Sequence, residues 1–138
     1  MAIRQGVCKS FKLELFQAIH DLEDDVIKVA LYSDSASLSS DTTAYTATGE
    51  VSGTGYSAGG AVTEVTFTQS GQGVEAVFTS PSWPTATITA RGALIYNSSK
   101  SNKAIAVINF GSDRSTQGAT FTVTMPAAGS DYPVLKFS

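Results

Sequence analysis

Thr85-Ala-Thr-Ile-Thr-Ala-Arg-Gly-Ala-Leu-Ile-Tyr-Asn97 is the longest strand-like stretch of this chain, with Ile88, Ala90, Gly92, Leu94 and Tyr96 on one parity. Period two places alternate side chains on one face of a sheet. Ser98 to Asn102 reads as a polar turn, after which Lys103 to Phe110 returns with Ile105, Val107 and Ile108 inward. Upstream, Val26-Ile-Lys-Val-Ala-Leu-Tyr32 is β-branched and little interrupted, the mark of a central strand.

The same reading extends to both sides. Ser33 to Thr43 is a Ser/Asp/Thr-rich loop, Thr46 to Val51 a short strand, and Ser52 to Gly60 a glycine-rich connection. From Ala61 to Thr68, Val62, Val65 and Phe67 alternate with threonines, with a slip at Glu64. Gly71-Gln-Gly73 then turns the chain into a hairpin partner, Val74 to Thr79. Pro81-Ser-Trp-Pro84 breaks the pattern, and Gly111 to Gly118 reads as a longer loop. Ala119 to Met125 alternates cleanly, Pro126 to Tyr132 turns, and Val134 to Phe137 closes the series.

Residues 1–24 differ from the rest. Ser10 to Leu22 reads as a helix with Ser10 as N-cap. Phe11, Leu15, Ala18, Ile19 and Leu22 form one stripe, and Leu13 and Phe16 lie off it. A helix apolar on more than one side needs cover from its own sheet and from a neighbour. Phe11, Leu13 and Leu15 also alternate with Lys12 and Glu14, so a strand is the competing reading. The expected fold is mainly β: one domain over 1–138, an antiparallel β-sandwich or barrel-like arrangement of about eight strands over 25–138, with one N-terminal α-helix. Helices do not alternate with strands, which argues against a parallel βαβ sheet.

Composition narrows the function. Of 138 residues 42% are hydrophobic and only 15% charged, against the usual charged share of about 25%. The net charge is −3, and the nine Lys and Arg are scattered. Such a chain has no electrostatic footprint for nucleic acid or for an anionic membrane. No apolar run approaches the roughly 20 residues of a membrane-spanning helix. No secretory signal is read at Met1 to Val7, so synthesis and assembly in a cytoplasm are expected.

Catalytic groups are few. Cys8 and His20 are the only cysteine and histidine, expected as a small buried thiol and a partly exposed helix residue. The four carboxylates of Asp21-Leu-Glu-Asp-Asp25 lack the glycine-bearing alternation of a calcium loop and read as a solvated corner. The glycines of 53–60 match no phosphate-binding fingerprint. No enzyme, cofactor or metal site is expected. Trp83 either anchors a partner or caps the core beneath a loop, and Arg91 either faces water or pairs with Glu50, Glu64 or Glu75. Phe11, Leu13, Phe16 and Trp83 are the candidate interface residues.

Several motifs carry a family resemblance. They are Lys9-Ser-Phe-Lys-Leu-Glu-Leu15, Ile27-Lys-Val-Ala-Leu-Tyr32, Ala44-Tyr-Thr46 and Glu50-Val-Ser-Gly-Thr-Gly-Tyr-Ser-Ala-Gly-Gly60. They continue in Thr89-Ala-Arg-Gly-Ala-Leu-Ile-Tyr-Asn97, Ala106-Val-Ile-Asn-Phe-Gly111 and Thr120-Phe-Thr-Val-Thr124. Across nearly its whole length the chain resembles small structural proteins of tailed-bacteriophage virions. The resemblance implies a virion component and carries over no catalytic or metal residue. The expected role is capsid decoration (cement), with the major capsid protein or other virion proteins as partners, and self-association into a homo-oligomer. A tail, collar or fibre-adaptor component is the structural alternative. A carbohydrate-binding module, stacking sugars on Trp83, Tyr45 and Tyr56, is the alternative of another class.

Overall fold

In the computed structural model, which describes residues 2–126 and 134–137, the stretch 92–97 lies at the centre of a five-stranded antiparallel sheet. It is the inner half of β6 (Ser82–Asn97). On one side β6 pairs with β2 (Ile27–Tyr32), and β2 with the short β3 (Ala61–Thr63). On the other it pairs with β7 (Lys103–Thr122), which the two-residue β1 (Gly6–Val7) flanks. The order is β1-β7-β6-β2-β3.

Every residue from Gly92 to Asn97 is buried, so this strand is covered on both faces. Register shows how. Ile27, Val29 and Leu31 share a face with Asn97, Ile95 and Ala93. There Asn97 meets His20 of the N-terminal segment. On the opposite face Tyr96 reaches Gly59 of the glycine-rich connection, its hydroxyl donating to the Gly59 carbonyl at 2.6 Å. Burying each Leu or Ile here is worth roughly 1.5–3 kcal/mol.

A second antiparallel sheet holds β4 (Val65–Ser70), β5 (Gly73–Phe78) and β8 (Leu135–Phe137), in the order β4-β5-β8. The two sheets form a sandwich-like domain that does not close into a barrel. The slip at Glu64 is where the chain changes sheets. Thr63 belongs to the first and Val65 to the second, and the corner is tied by Thr63 Oγ1 donating to the Thr79 carbonyl at 2.7 Å. The expected parity therefore inverts across it: Thr63 is buried and Val62 is exposed.

Four local expectations are corrected. Gly111 to Gly118 is not a loop but the middle of β7, which is the longest strand. Its polarity misleads because both faces are wet there. Thr89 Oγ1 and Ser115 Oγ bond across the ladder at 2.8 Å, and positive-φ glycines 111 and 118 absorb the register shifts. Pro81 to Pro84 does not end the pattern either. β6 already runs through Pro84, and an irregularity between Trp83 and Ala86 accommodates the proline and a left-handed Thr85. Thr46 to Val51 contributes one bridge, Glu50 to Tyr32, rather than a strand. The expected strand at 119–125 ends at Thr122. The turn expected over 126–132 falls almost wholly outside the described residues.

Candidate functional site

The helix α1 spans Lys9–Phe16, with Cys8 at the N-cap position in extended conformation. Ser10 lies inside the first turn and is not the cap. The C-terminus comes earlier than Leu22 because the chain closes a Schellman turn. Ile19 N donates to the Glu14 carbonyl at 3.0 Å and Ala18 N to the Leu15 carbonyl at 3.2 Å, with Ala18 left-handed at φ 59°. That turn swings His20 inward instead of letting it continue along a helical face.

The two apolar sides expected of this segment are present. Phe11 is buried against the His20 ring, centroids 4.8 Å apart, and Leu15 is half-buried. Leu13 and Phe16 point away from the core and are 59% and 90% exposed. Beside the inward side lies a groove of about 680 Å³, between α1 and the apolar face of the second sheet. Phe11 and Leu15 line it from the helix, Phe67, Val74 and Phe137 from the strands. The latter three are exposed, whereas Ala76, directly across from Phe67, and Phe78 are buried. Lys12 and Lys136 also line the groove. The alternation of β4 and β5 signalled that Phe67 belongs to an apolar face. Nothing in that pattern signalled that the first sheet would leave part of the face open.

Of the four candidate interface residues, the structure therefore puts Leu13 and Phe16 at the surface and Phe11 in the core. Trp83 is buried too, beneath the rings of Tyr56 and Phe121. Of its two readings, the core cap is the one observed. Tyr45 and Tyr56 are not open stacking platforms. Tyr45 stacks on Tyr96 at 4.9 Å, and both Tyr45 and Tyr56 donate their hydroxyls to Glu50, at 2.6 and 2.5 Å. Gly59 N adds a third bond to this carboxylate, at 2.8 Å. Burial, with the Glu50 charge beside it, pushes the Tyr45 hydroxyl up to about 12 and that of Tyr56 higher still. Glu50 thus anchors the 44–60 connection over the first sheet.

The reactive groups are placed as structural elements. Burial and the nearby Glu14 charge push the Cys8 thiol up to about 11, so it is held as the poorly nucleophilic thiol. His20 is intermediate in exposure as a residue, but its side chain is turned inward and buried, held by Glu14 and Asn97. Asp21 bonds the backbone N–H groups of Glu23 and Asp24, and Asp25 binds Lys100 at 2.8 Å. Burial alone would raise the Asp25 carboxyl, but bonds from Asn97 and Lys100 bring it down to about 2. Arg91 pairs with Asp113 at 3.5 Å, not with Glu50, Glu64 or Glu75. Among the described residues no three His, Cys, Asp or Glu side chains converge as metal ligands. Comparison with protein-family models, curated proteins and solved structures finds no match for this chain.

Proposed function

We propose that this chain is a non-enzymatic virion structural protein of a tailed phage, a capsid decoration protein that docks on the shell through apolar side chains of α1. One observation carries the reading. On a charge-poor domain, Leu13 and Phe16 stand exposed one helical turn apart on a short helix that the core holds by its opposite side. A helix fixed in this way presents its outer side chains at little ordering cost. Repetition on a symmetric lattice turns such modest contacts into stable occupancy. The family resemblance of the sequence supports the virion setting, and the major capsid protein is the partner it favours.

The test is occupancy on particles. The protein should co-purify with phage heads in copy numbers comparable to the major capsid protein, and the double variant Leu13→Glu/Phe16→Glu should fold yet fail to bind them. A few copies per particle would replace the decoration role by a tail or collar role. Undiminished head binding by the double variant would remove α1 as the docking element.

A further inference from the structure

We propose that His20 is the proton-sensitive pin of a clasp, which holds the N-terminal segment on the first sheet and loosens when the imidazole takes a second proton. The inference concerns the isolated chain and does not depend on the docking reading.

Asn97 is a fully buried amide. Its Nδ2 donates to Asp25 Oδ2 at 2.7 Å, and its Oδ1 accepts from Ser99 N at 3.0 Å. A carboxylate requires a donor and a peptide N–H an acceptor, so the two partners fix the orientation of the amide. The second Nδ2 hydrogen is then directed at His20 Nδ1, 3.0 Å away. Nδ1 must be the unprotonated acceptor. The ring proton sits on Nε2 and is donated to Glu14 Oε1 at 2.8 Å. Histidine here is a neutral link between a helix carboxylate and a strand amide.

A second proton has no acceptor in this arrangement. On Nδ1 it would point at the Asn97 NH₂ group. Turning the amide would meet it, but would set Oδ1 against the Asp25 carboxylate and Nδ2 against the Ser99 N–H. One contact would be restored at the loss of two. Charged groups reach the ring's surroundings from every side. From α1 comes Glu14, from the following turn Asp25, from the 98–102 turn Lys100 and from β7 Lys103, 3.6 Å from Glu14. The uncharged Phe11 ring completes the α1 side. Glu14 would face an imidazolium through Nε2 but already shares its other oxygen with Lys103, and the proton on Nδ1 would have no acceptor in a side chain with no solvent exposure. The group most easily moved to rehydrate it is the short helix, whose C-terminal turn leads directly into His20. Histidine ordinarily changes charge between about pH 5 and 8, and the carboxyl of Asp25, near 2, stays ionised throughout that range.

The full-length protein labelled with ¹⁵N-histidine tests this by NMR, with amide hydrogen exchange measured in parallel. At about pH 7.5 the imidazole should show the Nε2–H tautomer. As the pH is lowered and the imidazole gains its second proton, protection of amides 11–19 should fall at least about tenfold relative to amides 92–97. His20→Gln should show no such pH dependence. An Nδ1–H tautomer at neutral pH, loss of that protection while the imidazole is still neutral, or protonation with unchanged relative protection would each overturn the proposal. These outcomes are read on the wild-type chain and stand even if the variant fails to fold.

Discussion

Gly60 shows how much a single backbone position decides here. Its φ is +80°, and a Cβ built on it would meet the Val29 carbonyl oxygen at 1.8 Å. The chain passes directly over β2 before entering β3, and only glycine permits both the left-handed conformation and the approach. Gly60→Val should therefore destabilise the protein by more than about 2 kcal/mol in denaturant unfolding. Glu50 is the side-chain counterpart. Glu50→Gln substitutes an amide for one of the carboxylate oxygens that accept from Tyr45, Tyr56 and Gly59 N. It should lower the unfolding free energy by about 1–3 kcal/mol. An equally stable Glu50→Gln protein would show that this carboxylate is not the anchor of the 44–60 connection.

At the scale of elements, α1 separates stability from surface. Phe11 packs in the core, so Phe11→Ala should cost about 3–5 kcal/mol. The Leu13→Glu/Phe16→Glu variant should stay within about 0.5 kcal/mol of wild type per site, because neither side chain packs inward. Thermal and denaturant unfolding of the two variants compares the faces directly. The element boundaries also show where sequence reading stops. The stripe Phe11, Leu15, Ala18, Ile19, Leu22 is genuinely helical in spacing, yet the helix ends at Phe16. What ends it is the placing of His20 between Glu14 and Asn97, a partner 77 residues away. Conversely, 111–118 looks like a loop because its polar and glycine residues carry no apolar face. It becomes strand because β6 offers a ladder and cross-strand partners for Thr116, Gly118 and Asp113.

For the whole molecule, pH links these networks to stability. The folded-state ionisation of Tyr45 is raised from 10 to about 12. Its contribution to stability is thus complete below pH 10 and is lost as pH rises through 12. Unfolding free energy should decline over that interval, and Tyr45→Phe should flatten the decline. Asp25 acts with the opposite sign. Its carboxyl is lowered from 3.8 to about 2, so its contribution is present above pH 3.8 and lost as pH falls through 2. Asp25→Asn should reduce the loss of stability in that acid range. A pH profile of wild type and variants, measured by urea midpoint, checks both.

From the sequence alone came the β-rich class, the single-domain size, the central strand at 26–32, the long strand ending at Asn97 and the two-sided apolar character of the N-terminal helix. These rest on periodicity and composition, which record the environment each short segment needs. Tertiary structure decided the rest. It buried Trp83 and Phe11 while leaving Leu13 and Phe16 outside. It gathered Tyr45, Tyr56 and Gly59 on Glu50, and joined His20 to Asn97. The reason is physical: an apolar stripe specifies that a side chain is covered, but only the arrangement of distant strands specifies which face receives the cover and which polar groups meet beneath it.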